Sequence, residues 1–205
     1  MNIYKKIEEI YPSPACELKF NSTFELLVSV ILSAQCTDKR VNQVTESLFK
    51  KYNKPEDYVN LHQKELESLI FSCGFYHNKA KNIISMSKDI VKRFNGRVPD
   101  NFDDLVSLAG VGKKTASVVL AVGYGVPRIA VDTHVFRLSK RLGLADEKTP
   151  EKTQEVLESK VPKKYWINFH YALVLHGRYI CKSQRPKCNE CKLIEYCSFQ
   201  RNGCK

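Results

Sequence analysis

The chain has 205 residues, with 33 lysines and arginines against 22 aspartates and glutamates, and a formal net charge of +11 at pH 7. That length suits one large domain or two small ones, and the excess of positive charge is typical of a protein that meets polyanions such as nucleic acid. The N-terminal segment has no apolar secretory stretch, and the apolar runs 24–34 and 116–124 are shorter than the about 20 residues that cross a bilayer. We therefore expect a soluble cytoplasmic protein without a membrane partner.

Apolar residues recur at helical spacing along most of the chain. Between residues 76 and 95 the apolar stripe consists of Ala80, Ile83, Ile84, Ile90 and Val91. The same periodicity, with capping and turn residues, predicts ten helices at about residues 2–11, 24–34, 38–52, 63–72, 76–95, 102–108, 113–124, 133–142, 150–159 and 164–181. No convincing strand alternation appears between them, so the predicted fold class is all-α.

The segment LAGVGKK, residues 108–114, joins two of these helices through a turn that contains two glycines. Two helices with such a turn form a helical hairpin. Glycine lets another backbone approach closely, and the free amides in the first turn of the second helix can bind a phosphate. Gly110, Val111, Gly112 and Lys113 are therefore candidate DNA contacts, although a plain packing turn explains the glycines equally well.

Lys113 and Lys114 stand at the helix end whose dipole disfavours a cation. Adjacent helical residues project about 100° apart, so the two lysines cannot share one role. The dipole repels a cation by about 0.3–1 kcal/mol, which alone does not produce a neutral amine. Desolvation and a neighbouring cation would add to this effect if Lys114 turned toward a cleft, which makes Lys114 a candidate nucleophile. A simple anion contact is the alternative.

Asp132 follows an apolar stretch and directly precedes the helix predicted at 133–142. This is the position of an N-cap carboxylate, and capping alone would explain the residue. A capped carboxylate is also ionised and fixed in place. Near Lys114 it would accept a proton or stabilise developing positive charge, so Asp132 is a second candidate catalytic residue.

The chain loses its helical pattern near its C-terminal end, where four cysteines follow the spacing C-x6-C-x2-C-x5-C: Cys181, Cys188, Cys191 and Cys197. Four thiolates within 17 residues can close around one centre and order a segment that has little core of its own. A structural zinc site usually has two close cysteine pairs, and this spacing has one. The pattern therefore favours an iron–sulfur cluster over zinc, with unrelated buried thiols as a third possibility.

The loop between the first two of these cysteines carries Lys182, Arg185 and Lys187. Cations on a loop fixed by metal ligands lose little entropy on contacting phosphates, so these three are candidate DNA contacts. A solvated surface loop is the alternative. The other four cysteines are scattered along the sequence and are expected to be core or incidental thiols: Cys16, Cys36, Cys73 and Cys204.

Five segments, taken together, resemble the endonuclease III family of the helix-hairpin-helix DNA glycosylase superfamily. In chain order they are LSAQCTDKRVN, GFYHNKAKNI, LAGVGKKTASVV, AVDTHVFRL, and HGRYIC with the four-cysteine spacing. The resemblance extends from about Phe24 to Cys197. It implies two helical domains with a DNA cleft between them.

By this resemblance, residues 20–125 form a six-helix domain that contains the helix-hairpin-helix motif at about 102–124. Residues 1–19 and 126–205 form a helical domain around a 4Fe-4S cluster, which the four cysteines of the loop 181–197 hold. The implied partner is double-stranded DNA with a damaged base or an abasic site, and the protein is expected to act on it as a monomer.

The resemblance also implies the chemistry. Lys114 attacks C1′ of a nucleotide that has been flipped out of the duplex, the base leaves, and a Schiff base forms. β-Elimination then cuts the strand 3′ to the abasic sugar, with Asp132 as general base and counter-charge. Gln35 and Phe75 fill the gap left by the flipped base. The implied substrates are oxidised or ring-saturated pyrimidines.

Two residues depart from the family pattern, since Ala109 replaces a proline of the hairpin and Phe75 replaces the common leucine. Without the resemblance, Phe75 would be interpreted as a core aromatic. Two other functions compete with a lysine-dependent enzyme. One is an adenine-mismatch glycosylase of the same superfamily, against which Lys114 and the short chain argue. The other is a DNA-binding module without catalysis, whose hairpin and cysteine loop only grip the backbone.

Overall fold

The computed structural model describes residues 2–201, apart from the side chains of residues 200 and 201, and this part of the chain forms helices, short 3₁₀ turns and loops without a β-strand. The all-α fold class predicted from the sequence is confirmed. Cys204 lies outside the described residues. Among the described helices, none has the length and apolar character that crossing a membrane requires.

The helices follow one another in the order α1 (Ile3–Ile10), α2 (Thr23–Ser33), α3 (Asp38–Lys51), α4 (Glu56–Val59), α5 (Gln63–Ile70), α6 (Tyr76–Phe94), α7 (Phe102–Val106), α8 (Lys113–Gly123), α9 (Thr133–Arg141), α10 (Pro150–Lys160), α11 (Trp166–Tyr179) and α12 (Ser198–Arg201). Single 3₁₀ turns occur at Phe71–Cys73, Lys163–Tyr165, Cys188–Glu190 and Ile194–Tyr196. The sequence did not predict α4 and α12, because four residues are too few to show helical periodicity.

Side-chain caps fix the start of several helices. The hydroxyl or amide oxygen of the N-cap residue accepts a hydrogen bond from a first-turn backbone N–H at Ser22, Thr37, Asn101 and Thr149. Such caps satisfy one of the amides that a helix start leaves unpaired and contribute about 1 kcal/mol each. Thr149 is followed by proline at the first helical position, as its sequence predicted.

The chain divides into two compact units, one of residues 17–126 and the other of the N-terminal residues up to Cys16 together with the chain from Pro127 onward. In the second of these, α9 and α11 pack together and α1 packs on α11. Ile7, Leu138, Phe169 and Leu173 are among its fully buried residues.

In the unit 17–126, α2 is the central helix and packs against α3, α6 and α8. Ala116, Val119 and Leu120 form the buried face of α8. A Cβ on Gly123 would lie 2.8 Å from the Thr23 side chain, so the close approach of α8 to α2 depends on glycine. This packing fixes the direction in which the start of α8 points.

Candidate functional site

In the hairpin turn between α7 and α8, Val111 is anchored in the protein, whereas Gly112 at the end of the turn is accessible to an external group. Val111 is buried, and its N–H donates to the carbonyl of Leu108 at 3.1 Å. Gly110 has φ +77°, and a Cβ there would lie 2.8 Å from Cβ of Asn82, so the position requires glycine. Gly112 is the N-cap of α8 without a side-chain hydrogen bond, and a Cβ there would meet no atom within 4 Å. An external group can therefore approach the first-turn amides of α8.

Lys113 and Lys114 begin α8 and are both exposed. The first turn contains no acidic residue that would neutralise them. The uncapped amides, the positive end of the helix dipole and two cations together favour an anion at this point. Lys114 is accessible rather than buried, so the described protein residues do not supply the desolvation that a nucleophilic lysine would need.

Asp132 is the N-cap of α9, as the sequence predicted. Its Oδ1 accepts the backbone N–H groups of His134 at 2.9 Å and of Val135 at 2.8 Å. Both bonds use Oδ1, so Oδ2 takes no part in the cap. The residue is half-buried and lies in the unit that contains α9, whereas Lys114 lies in the unit 17–126. Asp132 is thus a fixed carboxylate with one oxygen outside the cap.

Gln35 and Phe75 share a rare backbone conformation. Their φ angles are +54° and +48°, a left-handed region that non-glycine residues seldom adopt and that clusters at functional sites. Both side chains are exposed, and 64% of the Phe75 surface is accessible. The interpretation of Phe75 as a core aromatic is therefore wrong. A large apolar side chain held outward on a strained backbone is suited to contact a partner.

The four cysteines of the C-terminal loop line one small, mostly apolar cavity together with Ile180, Pro186, Lys187, Ile194 and Phe199. All four are free thiols rather than disulfides: Cys181, Cys188, Cys191 and Cys197. Among the described residues, no three histidine, cysteine or acidic side chains are arranged to hold a single metal ion. A zinc ion holds its thiolates at about 2.3 Å from one point, whereas an iron–sulfur cluster is a larger body surrounded by its cysteines.

Two arginines of α9 hold the start of this loop. Arg141 donates from Nη1 to Cys181 Sγ at 3.3 Å and to the carbonyl of Lys182 at 2.8 Å. Arg137 donates from Nε and Nη2 to the carbonyl of Cys181 at 3.2 and 3.0 Å. These hydrogen bonds hold the side chain and the main chain of Cys181 in place at the start of the loop.

His176 and Tyr11 support a second cysteine. Nε2 of the buried His176 lies 3.4 Å from Cys191 Sγ, and its Nδ1 lies 2.9 Å from the Tyr11 hydroxyl. Burial raises the pKa of the Cys191 thiol and outweighs a hydrogen bond with the backbone of Leu193 that lowers it, while the thiols of Cys181 and Cys197 raise it further. A cationic centre bound beside Cys191 would offset this effect, because it favours the thiolate.

The three cations of the loop are all exposed. Arg185 has a φ of +50° and is therefore another non-glycine residue in the left-handed region. Lys187 pairs with Glu190 across 3.3 Å, but both side chains are largely exposed and such a pair contributes little. Lys182 follows Cys181 directly, and its carbonyl accepts the bond from Arg141. The loop thus presents Lys182, Arg185 and Lys187 to solvent from a backbone that α9 holds.

The sequence did not predict a role for Arg137 and Arg141, which hold the start of the cysteine loop, or for the buried Lys79. The spacing of Arg137 and Arg141 places both on one face of α9, and this was the available signal. Lys79 continues the apolar stripe of α6 one turn before Ile83, so a lysine on a buried face was the second signal. Most of their acceptors lie about 40 residues or more away in the sequence and emerge only from the fold.

Comparisons of the sequence and of the structure with known proteins agree with each other. The family described as HhH-GPD superfamily base excision DNA repair protein matches residues 28–163. Endonuclease III of Bacillus subtilis (strain 168) is 51% identical over 193 residues, which cover 94% of this chain and 88% of the relative. Endonuclease III of Rickettsia prowazekii (strain Madrid E) is 45% identical over 204 residues, or 98% of this chain and 96% of the relative.

Among solved structures, a trapped covalent intermediate of an endonuclease III with DNA superimposes with a TM-score of 0.94 at 43% identity, covering 98% of this chain and 95% of that one. The fold and the matched residues define the class, that of the helix-hairpin-helix superfamily of base excision DNA repair proteins. Within it, the chain belongs to the endonuclease III family, as its five sequence segments predicted.

Proposed function

We propose that Lys114 is the nucleophile of a bifunctional DNA glycosylase and abasic-site lyase, and that Asp132 assists it. Members of the endonuclease III family are DNA N-glycosylases and abasic-site lyases of base excision repair, so membership gives the class of enzyme. The observation that carries the assignment to Lys114 is its position. It is an exposed amine in the first turn of α8, behind the open glycine turn that suits a phosphate.

The proposed reaction begins when the Lys114 amine attacks C1′ of a flipped nucleotide and the base departs. DNA that covers Lys114 removes water from the amine, which favours the neutral, nucleophilic form. The amine and the sugar then form a Schiff base, and loss of a proton from the sugar lets β-elimination break the strand on the 3′ side. Asp132, held by its cap, serves as general base and stabilises positive charge on the sugar.

In this proposal the hairpin turn from Gly110 to Lys113 binds a backbone phosphate of duplex DNA. Gln35 and Phe75 occupy the gap that the flipped nucleotide leaves, because both are exposed and held outward. The cations of the loop after Cys181 contact further phosphates. The substrates are oxidised or ring-saturated pyrimidines in the DNA of the cell, and the enzyme acts as a monomer.

We further propose that the unit 17–126 is the six-helix domain, with the four-residue α4 as an additional turn of helix, that the other unit is the cluster domain, and that the four cysteines hold a 4Fe-4S cluster. The apolar cavity that they line, the hydrogen bond from Arg141 to Cys181 Sγ and the contact of His176 with Cys191 support this assignment. When bound, the cluster supplies a cross-link among four thiolates that orders the cysteine loop. A zinc protein would be colourless, whereas an iron–sulfur protein absorbs broadly at about 400 nm.

The test uses a duplex with one ring-saturated pyrimidine, labelled at the 5′ end. The wild-type protein should release the base and leave a strand cut by β-elimination, without added nuclease. Lys114→Ala should do neither while still binding the duplex. An adenine-mismatch glycosylase would release adenine and leave the strand intact, and a DNA-binding module would bind without releasing any base.

A further inference from the structure

Lys79 is a buried cation whose hydrogen bonds all go to the main chain. It lies in the first turn of α6, and only 5% of its surface is accessible. Its Nζ donates to the carbonyls of Leu32 at 2.8 Å, Ala34 at 2.7 Å and Cys73 at 2.6 Å. An ammonium group has three N–H donors, so these three bonds use them all. Burying a charged group costs free energy, so a buried lysine of this kind is expected to have a specific structural role.

The position of the ammonium explains how the fold tolerates it. Leu32 and Ala34 belong to the C-terminal end of α2, where backbone carbonyls lack helical partners and the helix dipole is negative. The thiols of Cys36 and Cys73 are neighbours of the same ammonium. Burial, with a contribution from Cys36, raises the pKa of Cys73 to about 11, so that thiol stays neutral near pH 7. The three carbonyls therefore carry the stabilisation.

Each end of this contact adjoins a residue with a strained backbone. The Ala34 carbonyl is part of the peptide group that leads into Gln35, whose φ is +54°. The Cys73 carbonyl leads into Gly74, with φ +60°, and then Phe75, with φ +48°. Left-handed conformations of non-glycine residues persist only where the surroundings impose them. One side chain thus ties together two exposed residues that are distant in the sequence.

We infer that Lys79 is a positioning residue, which fixes the segments 34–36 and 73–75 so that Gln35 and Phe75 stand ready to fill the gap in DNA. The inference rests on the proposed function, because it assigns a task to two residues that act there. Without the ammonium, both segments relax toward ordinary backbone angles, and the flipped state of the nucleotide loses the support of preformed side chains. The amine chemistry of Lys114 is not touched.

The test is a mutant cycle measured as single-turnover excision of a ring-saturated pyrimidine from a duplex. Lys79→Met keeps the length of the side chain and removes its charge, and we expect excision to slow by about 10-fold or more. Lys88→Met, an exposed lysine of the same helix, is the matched control and should excise at the wild-type rate. Adding Lys79→Met to Gln35→Ala/Phe75→Ala should slow that variant less than about 2-fold, because the residues through which Lys79 acts are already gone.

An equal slowing by Lys79→Met in both backgrounds, or none in the wild-type background, contradicts the inference. Lys79→Gln, which still donates two hydrogen bonds, replaces Lys79→Met if that variant does not fold, and an intermediate loss is expected from it. If the wild-type protein excises the base but the effects of Lys79→Met and of Gln35→Ala/Phe75→Ala simply add, the positioning role of Lys79 is overturned and the proposed function stands. A wild-type protein that excises no base overturns the proposed function, and the role of Lys79 with it.

Discussion

Arg141 and Cys181 are joined through the sulfur atom itself, since Nη1 of the arginine donates to Sγ at 3.3 Å. The same guanidinium lies over the ring of Phe199, 4.2 Å from its centroid. Arg141 is the last residue of α9, and Asp132 caps the first turn of that helix. The loop of the four cysteines and the carboxylate proposed for catalysis are therefore attached to the same helix.

Replacing Arg141 by alanine should loosen this attachment. The variant loses the charged hydrogen bonds to Cys181 Sγ and to the Lys182 carbonyl, each of which contributes about 1.5–3 kcal/mol. We expect a lower free energy of unfolding in urea and faster loss of absorbance at about 400 nm in the presence of an iron chelator. Lys140→Ala is the control, because its ion pair with Asp146 is exposed. Equal behaviour of the two variants would contradict the support role of Arg141.

Two substitutions of Asp132 can separate its role as a helix cap from its proposed role in catalysis. Asparagine caps a helix as well as aspartate does, so Asp132→Asn should change the free energy of unfolding by less than about 0.5 kcal/mol. Because it removes the charge and the base, it should slow excision by about 10²–10⁴-fold. Asp132→Ala should lose the excision rate and, in addition, about 1 kcal/mol of stability. Urea unfolding measures the stability effect, and single-turnover excision measures the catalytic effect. A fully active Asp132→Asn would contradict the catalytic role and show that Asp132 serves only as a helix cap.

The two glycines of the hairpin should respond differently to the same substitution. A methyl group on Gly112 would meet no atom within 4 Å, so Gly112→Ala should have the same free energy of unfolding as the wild type. The methyl group would, however, occupy the approach to the first-turn amides of α8, so the variant should bind DNA several-fold more weakly.

Gly110→Ala should instead lower stability by about 1–2 kcal/mol, because alanine at φ +77° is strained and its Cβ crowds Asn82. Unfolding in urea and titration of labelled duplex DNA distinguish the two variants. Unchanged DNA affinity in Gly112→Ala would argue for a plain packing turn.

Loss of one proposed cluster ligand should remove the whole iron–sulfur cluster. Cys188→Ser is expected to purify without the absorbance at about 400 nm and with less iron, and to bind duplex DNA more weakly, because Lys182, Arg185 and Lys187 lose their ordered loop. Cys16→Ser, which changes a thiol of the same unit away from the cavity, should retain the iron. Full iron content in Cys188→Ser, or zinc in the wild type, would contradict the cluster assignment.

The features that local chemistry determines were predictable from the sequence. Helical periodicity gave the long helices, the cap at Asp132 followed from its residue type and position, and the glycine turn marked the start of α8 at Lys113. The family came from five short segments in order, and the comparisons agree with it.

The features that depend on distant contacts were not predictable. Lys79 binds carbonyls of α2, and Arg137 and Arg141 bind a loop about 40 residues away in the chain. Cys36 and Cys73, which were expected to be core or incidental thiols, are neighbours beside Lys79, and Cys73 is buried. Periodicity identifies which face of a helix is buried, but only the tertiary fold determines what a polar residue on that face will meet.

The most direct test of the central claim is borohydride trapping on duplex DNA that contains one abasic site. Borohydride reduces a Schiff base to a stable bond, so the wild-type protein should become linked to DNA, and digestion followed by mass spectrometry should place the link on Lys114. Lys113→Ala should still give the adduct at saturating DNA, and Lys114→Ala should give none. An adduct that persists in Lys114→Ala, or a wild type that binds abasic DNA tightly without forming one, would contradict the account.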